Sequence, residues 1–189
     1  MPALVIGLGN KGGEYRWTRH NVGWRALDEI ERRGRFAREK REGPARISQG
    51  SLEGYDLILA RPQTYMNLSG RAGVHLTRKL GIKPEDVLVV HDEVDLPLGR
   101  LQLKRGGSHG GHNGVLSLIN SWQTRDFLRL RMGVGRPPGE VDTADHVLDG
   151  FEPEERVAAD DLVSRAADTI LLWLREGEER AMNTTNRRS

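Results

Sequence analysis

The chain has 189 residues and no cysteine, so it is long enough for a buried core and has no disulfide bonds or thiolate metal sites. No segment approaches the roughly 20 apolar residues that a membrane-spanning helix needs, and no charged leader precedes the first predicted strand, so we expect a soluble, cytoplasmic protein. The net charge is only +2, but residues 1–50 carry eleven Lys and Arg against six Asp and Glu. This basic part suits an anionic partner such as nucleic acid, and a solvated charged surface is the alternative.

Apolar runs alternate with longer segments that have one apolar face, which predicts strands and helices in turn. The predicted strands are Ala3–Leu8, Asp56–Ala60, Val87–Val90, Leu101–Lys104 and Phe127–Val134. The predicted helices are 21–33, 68–80, 113–122 and 152–179. Residues 9–19 are predicted as a loop, 36–51 as a loop or edge strand, and 183–189 as a polar, mobile tail. The alternation predicts an α/β fold in which residues 1–182 form a single domain, with a mixed, twisted sheet flanked by helices on both faces.

Five polar side chains stand in five separate segments, most of them just after a predicted strand. They are Asn10, His20, Asn67, Asp92 and Asn113. In an open α/β sheet, reactive groups collect in the crevice beyond the carboxyl ends of the strands. A histidine oriented by a carboxylate and surrounded by neutral amides can activate water and hold a polarised carbonyl group. This combination predicts a hydrolase.

His20 and Asp92 are the predicted reactive pair. Asp92 follows the run VLVVH at a strand end, where we expect it to point into the same crevice as Asn10. His91 is adjacent to Asp92 in a strand, so their side chains point to opposite faces, which favours the distant His20 as the partner. A carboxylate bonded to one ring nitrogen fixes the tautomer and leaves the other nitrogen as a base. Taken alone, a histidine beside a helix start is more often a surface or capping residue.

Two glycine-rich motifs suggest other functions. Residues 7–12 have the G-x-G-x-x-G spacing of a dinucleotide-binding turn, but no helix follows at once to meet a pyrophosphate. The second motif matches the G-x-S-x-G of serine hydrolases around Ser108. The available acid and histidine after it, Asp142 and His146, are only four positions apart, which is too local for that chemistry. We interpret the glycines of residues 7–12 as allowing a sharp turn, and those around Ser108 as a flexible loop that leads to Asn113.

The other polar residues at the predicted junctions are candidates for holding a substrate or a metal. Asn67 lies at a strand-to-helix junction, where it could simply cap the helix. Capping does not explain why Asn10 and Asn113 occupy similar junctions, and amides can hold a peptide backbone or an oxyanion at any pH. His109 and His112 could bind a metal, but the sequence offers no clear third ligand.

A set of basic residues lies on or near two predicted strands. Its members are Lys104, Arg105, Arg129, Arg131 and Arg136. Arg129 and Arg131 share one face of their strand, so a positive track runs beside the crevice if the strand of Lys104 is a neighbour. Such a track positions a nucleic acid through its phosphates without reading its sequence. The alternative is ordinary solvated charge.

The motifs GLGN, TRHN, TYMNLSG, VVHDEVDLPLG, GGSHGGHNG and RLRMGVGRP occur in this order along the chain. In order and content they resemble bacterial-type peptidyl-tRNA hydrolase, and the resemblance covers nearly the whole chain. It implies a three-layer α/β domain that hydrolyses the ester between a peptide and the 3′ end of tRNA, which frees tRNA from stalled translation. It also implies catalysis without a metal, a cofactor or a covalent intermediate.

The resemblance implies a role for each matching position. His20 matches the general base, Asp92 the residue that keeps this base in its basic form, and Asn10 a residue that distinguishes blocked from free aminoacyl ends. The residues expected to contact the 3′ CCA end and the peptide, or to line the same crevice, are Tyr15, Tyr65, Met66, Asn67, His112 and Asn113. The terminal adenosine is expected to stack on one of the two tyrosines.

Lys104 and Arg131 match the basic track of the family, which implies contact with the acceptor stem of peptidyl-tRNA. We expect a monomer, because no long apolar stripe is left for a partner. Lys11 is a departure, since the family usually has Pro after the asparagine of GLGN, and it adds a charge beside the cleft. Two alternatives stay open: an inactive RNA-binding relative of the same fold, and a nucleotide-binding Rossmann-type protein.

Overall fold

The computed structural model describes residues 1–187. Within these residues the strands are β1 (Ala3–Gly7), β2 (Arg35–Phe36), β3 (Lys40–Glu42), β4 (Ala45–Leu52), β5 (Tyr55–Pro62), β6 (Val87–Glu93), β7 (Leu101–Arg105) and β8 (Leu128–Gly133). The α-helices are α1 (Val22–Arg33), α2 (Ser69–Leu80), α3 (Asn113–Trp122), α4 (Thr143–Val147), α5 (Arg156–Glu176) and α6 (Glu178–Arg187). Short 3-10 turns occur at Gly13–Tyr15, Arg19–Asn21, Met66–Leu68, Pro84–Asp86 and Pro153–Glu155. None of the described helices is long and apolar enough to cross a membrane.

The strands form one mixed sheet in the order β2-β4-β5-β1-β6-β8-β7, with β3 paired to β4 beyond this path. Strands β5, β1, β6 and β8 run parallel to one another. Strands β4 and β7 run antiparallel to their neighbours. Residues 36–51, predicted as a loop or edge strand, form β3 and most of β4 on one side of the sheet. The carboxyl ends of the four parallel strands therefore lie along one edge.

The central strands supply side chains to two cores, one on each face of the sheet. On one face, Val5 and Leu88 belong to the core that includes α1 and α5. On the other face, Ile6 and Val89 belong to the core that includes α2 and α3. Since side chains alternate along a strand, a continuous apolar run indicates burial on both faces. The predicted α/β architecture with helices on both faces is confirmed.

Helix α1 lies against the ends of β1 and β6 because it carries a glycine at the contact. A Cβ atom at Gly23 would lie 2.6 Å from the carbonyl oxygen of Val90 and 2.8 Å from that of Leu8. Only glycine allows the helix backbone to approach so closely. The approach matters for the site, because His20 lies just before α1 and is thereby brought to the end of β6.

The carboxyl-terminal segment differs from its prediction in two ways. The single helix predicted for 152–179 is interrupted at Gly177, whose φ of 87° ends α5 before α6 begins. The predicted mobile tail at 183–189 is wrong for residues 183–187, which continue α6, and its last two residues lie outside the described part of the chain. Asn186 bonds both backbone groups of Leu103 on the edge strand β7, and Ala181 is buried. The side chain of Asn186 thus satisfies backbone groups of the edge strand. The polar composition of the segment does not reveal this contact.

Candidate active site

The candidate site lies where the carboxyl ends of the parallel strands converge. Asn10 follows β1, Met66 and Asn67 follow β5, and Asp92 lies near the end of β6. The turn that carries His20 returns to this edge and leads into α1. The glycine-rich loop after β7 ends in His112, directly before α3. The ends of the parallel strands therefore bring three of the predicted segments to this edge. The turn before α1 is the fourth, and the fifth is the glycine-rich loop, which starts at the opposite edge because β7 is antiparallel.

His20 and Asp92 are in hydrogen-bond contact, as the position of Asp92 at a strand end predicts. The distance between His20 Nδ1 and Asp92 Oδ2 is 2.7 Å. The side chain of Asp92 is 2% exposed and that of His20 is 13% exposed. The imidazole uses Nδ1 for the carboxylate and lines a cavity, so Nε2 is the nitrogen left to act on a substrate.

Each member of this pair changes the proton affinity of the other. Burial alone raises the pKa of Asp92, but the imidazoles of His20 and His112 lower it more, and the net pKa lies well below the ordinary value. Burial lowers the pKa of His20, but the charge and hydrogen bond of Asp92 outweigh it, so the pKa is raised above 6.5. The carboxylate thus stays ionised, and the imidazole becomes a stronger base.

His112 is a second partner of Asp92, and the sequence does not predict this contact. Its Nε2 lies 2.8 Å from Asp92 Oδ1. Its Nδ1 accepts the backbone N–H groups of Gly114 and Val115 and so caps α3. Because Nδ1 accepts two N–H groups, Nε2 must carry the proton that it donates to Asp92. Histidine is not a preferred capping residue, so no local pattern could reveal this arrangement.

His91 lies on the opposite face of β6 from Asp92, as predicted, and holds a buried arginine. Its Nδ1–H donates to the carbonyl oxygen of Asp92 at 2.8 Å, and its Nε2 accepts Nε–H of Arg129 at 3.2 Å. Arg129 also donates to the carbonyl oxygens of Gly106 and Ser108, which fixes the base of the glycine-rich loop. Burial is the largest cause that lowers the pKa of His91 well below 6.5, so this imidazole is neutral.

The predicted basic track is wrong for Arg129, which is buried, and Arg131 has partners that the sequence does not predict. Arg129 is 2% exposed and therefore cannot meet phosphates at the surface. Burial, followed by the charge of Arg131, lowers the pKa of Arg129 to about 10. Arg131 is paired with buried Glu93 at 2.9 Å and also bonds Gln102. The register opposes Lys104 to Arg129, so the neighbouring strands do place these residues together, but not as one exposed stripe.

Asn10 is held in place by a neighbouring amide. Its backbone N–H donates to Oδ1 of Asn21, and its carbonyl oxygen accepts Nδ2–H of the same residue, both at 2.9 Å. Asn10 and Asn113 line the cavity, as do Tyr15, Tyr65, Met66 and His112. Asn67 is exposed and is not among the lining residues, although Met66 beside it is. The geometry therefore favours Asn10 over Asn67 as an amide near the reacting group.

Arg19 connects the turn that carries His20 to the wall formed by α4. Its guanidinium donates to the carbonyl oxygens of His146 at 3.1 Å and Asp149 at 3.4 Å, and pairs with Glu155 at 2.9 Å. Four residues of this wall also line the cavity and are not predicted from the sequence: Thr143, Ala144, Val147 and Leu148. The sequence does contain a signal for a helix start here, because Asp142 caps the short helix α4 by accepting the N–H of Ala144.

A cavity of about 900 Å³ lies along the sheet edge, with His20, Asp92 and His112 in its wall. The nitrogen and oxygen atoms of these three residues that could bind a metal ion lie within 4.8 Å of one another. Among the described residues, this group most resembles a metal site. Both oxygens of Asp92 accept ring N–H groups, so a metal ion would have to replace two hydrogen bonds. Ser108 does not line the cavity, and His146 bonds the carbonyl oxygen of Gly135, so the described site contains no serine triad.

Comparison with known proteins decides among the interpretations of this site. A family model described as peptidyl-tRNA hydrolase matches residues 4–189. The chain belongs to this family. The peptidyl-tRNA hydrolase of Nocardia farcinica is 50% identical over 184 residues, which is 96% of this chain and 95% of that protein. The peptidyl-tRNA hydrolase of Chloroflexus aurantiacus is 45% identical over 185 residues, 97% of this chain and 98% of that protein.

A solved structure gives the same result at the level of the fold. The crystal structure of peptidyl-tRNA hydrolase from Acinetobacter baumannii matches with a TM-score of 0.89 at 34% identity, covering 98% of this chain and 94% of that one. The chain is therefore an ester hydrolase that acts on peptidyl-tRNA. The nucleotide-binding alternative is set aside, and residues 7–12 lack its structural context, since the first α-helix after β1 begins only at Val22.

Proposed function

We propose that His20 is the general base of peptidyl-tRNA hydrolysis and that Asp92 holds it in the reactive tautomer. Nε2 of His20 takes a proton from water, and the water oxygen attacks the carbonyl carbon of the ester. The resulting imidazolium returns the proton to the departing 3′ oxygen of tRNA. The contact of 2.7 Å between the two side chains is the observation that supports this assignment.

The surrounding residues supply the remaining parts of the proposed mechanism. The side chain of Asn10 supports the developing oxyanion, a contribution typically worth about 10²–10³-fold. Asn113 and the backbone near Met66 hold the peptide. Tyr15, which lies in the same loop as His20, carries the terminal adenosine, because the adenosine is joined directly to the reacting ester.

The enzyme is proposed to work as a monomer without a metal or cofactor. All the residues of the proposed chemistry come from one chain, and both oxygens of Asp92 already accept imidazole N–H groups. We assign the reaction to the cytoplasm, where translation produces peptidyl-tRNA. Dialysis against a chelator should leave the turnover unchanged, and a turnover restored only by added metal would refute this part.

The central test is the release of N-acetyl-amino acid from N-acetyl-aminoacyl-tRNA. His20→Ala should lose about 10²–10⁴-fold in kcat while retaining tRNA binding. Ser108→Ala should keep the wild-type rate, because Ser108 does not line the cavity. Full activity of His20→Ala, or loss of activity in Ser108→Ala, would overturn the assignment. Tight binding of tRNA by the wild type without turnover would instead favour the inactive relative, although such a relative is expected to lose one member of the pair.

We further propose that Lys104 and Arg131 contact phosphates of the acceptor stem. Each phosphate contact adds about one unit to the slope of log affinity against log salt. Arg131 has Nε committed to Glu93 and Nη1 to Gln102, so Lys104→Gln should reduce the slope more than Arg131→Gln. Lys83→Gln, at an exposed lysine outside the cavity, is the matched control. An unchanged slope in both variants would remove the two residues from the interface.

A further inference from the structure

Two exposed cations line the cavity and have no ion-pair partner among the described residues. They are Lys11, just after β1, and Arg71, in the first turn of α2. The third cation of the wall, Arg136, is paired with Asp95. An unpaired positive charge at the rim of a binding cavity attracts an anionic part of whatever enters it.

Both cations lie at one end of the cavity. The order of the parallel strands is β5-β1-β6-β8, Lys11 follows β1, and Arg71 follows β5 by way of the turn before α2. The neighbouring wall residues are Gln63, Thr64, Tyr65 and Leu68, and none of them is charged. The carboxylates of the cavity wall, Asp92 and Glu93, are on β6 and already have partners. The carboxylate of Glu14 lies beside Gly12 but does not line the cavity, so the lining of this end carries positive charge.

The position of Lys11 is fixed by its neighbour. The backbone of Asn10 is bonded on both its N–H and its carbonyl side by the buried amide of Asn21. Lys11 therefore leaves the main chain at a defined point on the rim, and only its side chain has freedom to reach a ligand. A charge with a fixed origin gives selectivity at a lower entropic cost than one on a mobile loop.

The order in which the parts of the substrate lie along the cavity indicates which part reaches Lys11 and Arg71. This step rests on the proposed function, in which Lys104 and Arg131 on β7 and β8 meet the acceptor stem and His20 acts beside β6. The substrate is one covalent chain in which the stem, the 3′ end, the ester and the peptide follow one another. If the stem lies on the β8 side of β6, the peptide continues toward β1 and β5. The carboxylate of an acidic side chain is the anionic group that a peptide can offer there.

We propose that Lys11 and Arg71 make this enzyme favour peptides with an acidic side chain close to the ester. The effect is moderate, because ion pairs between exposed groups contribute little. We expect about a two- to fivefold preference in kcat/KM at low salt. The preference should fade as ionic strength rises, because salt screens exposed charges.

The test uses two substrates that differ only in charge, N-acetyl-Glu-Phe-tRNA and N-acetyl-Gln-Phe-tRNA. The wild type should hydrolyse the first about two to five times more efficiently. The ratio should fall toward one when Lys11→Gln and Arg71→Gln are combined. The matched control combines Lys40→Gln and Arg78→Gln, two exposed cations outside the cavity, one of them on α2 itself, and should keep the wild-type ratio.

A wild-type ratio of one, or a ratio that survives the loss of both cations, overturns the proposal. An equal decrease for both substrates in the double variant, with a lower salt slope of KM, would assign the cations to tRNA phosphates and also overturn it. Failure of the proposed function has a different signature. In that case His20→Ala remains active on both substrates, whatever the ratio between them.

Discussion

Replacing Asp92 by asparagine should disable the base through the tautomer of His20. The carboxylate accepts one N–H from each of two imidazoles, whereas an amide has a single accepting oxygen. Nδ1 of His112 accepts two backbone N–H groups, so its Nε2 must remain a donor and requires that oxygen. The amide NH₂ is then left facing Nδ1 of His20. Nδ1 of His20 then has to accept a hydrogen bond from this amide. Its proton moves to Nε2, which must be unprotonated to act as the base.

The size of the effect follows from these contacts. Loss of a working general base costs about 10²–10⁴-fold, so Asp92→Asn should lower kcat by at least ~10²-fold. Burial lowers the pKa of His20, and the charge and hydrogen bond of Asp92 raise it, so removing this contact while leaving His20 buried should lower the pKa. The acidic limb of the remaining activity should therefore move to lower pH.

The assay is the pH profile of kcat/KM for N-acetyl-aminoacyl-tRNA. Asp86→Asn, at an exposed position just before β6, is the control for loss of one carboxylate. Adding His112→Asn to Asp92→Asn should recover part of the lost rate. The new asparagine can cap α3 without donating to position 92, so the amide there can turn its oxygen to His20. If the double variant is no more active than Asp92→Asn alone, the tautomer argument is refuted.

Three further predictions concern the framework of the site. Arg19→Met should lower the free energy of unfolding by about 2–3 kcal/mol in chemical denaturation, because three hydrogen bonds of a buried cation are lost. Arg25→Met should cost less, because it removes one ion pair, to an Asp160 that is 73% exposed. Gly23→Ala should lower the thermal midpoint measurably, because its Cβ would lie 2.6 Å from the Val90 oxygen. In the folded state the pKa of His91 lies below 6.5, so the unfolded chain takes up the proton first and stability falls as pH drops through that value, by up to ~1.4 kcal/mol per pH unit. His91→Gln should flatten this slope, and an unchanged slope would contradict the assignment.

The sequence predicts those parts of the site that depend on strand geometry. The apolar runs identify β1, β5, β6 and β8, and the carboxyl ends of parallel strands must meet at one edge. The alternation of side chains assigns His91 and Asp92 to opposite faces, which favours His20 as a partner of Asp92 across the crevice. Helix α3 begins and ends at the residues predicted for it, Asn113 and Trp122.

The parts that the sequence does not predict depend on which polar groups become buried together. Arg129 and Arg131 alternate like solvated charges, yet one of them is held in the interior by two carbonyl groups and His91, and the other is paired with Glu93. A charged residue can be buried only where partners satisfy it, and those partners come from distant segments. The same holds for Asn186, whose contacts with β7 turn an apparently mobile tail into a docked helix.

His20 and His91, near the end of β6, have opposite effects on stability in acid. Loss of activity and loss of structure should therefore be separable. The pKa of His20 is raised in the folded state, so its contribution to stability is fully present below 6.5 and is lost as pH rises through the folded value. Mild acid therefore protonates the base and stops catalysis while favouring the folded state at this position. His91, with its lowered pKa, opposes this effect. Acid inactivation just below the pKa of His20 should consequently reverse at once on return to neutral pH, with an unchanged circular dichroism spectrum throughout. A loss of activity that follows the loss of helical signal would show instead that unfolding, and not protonation of the base, limits the enzyme in acid.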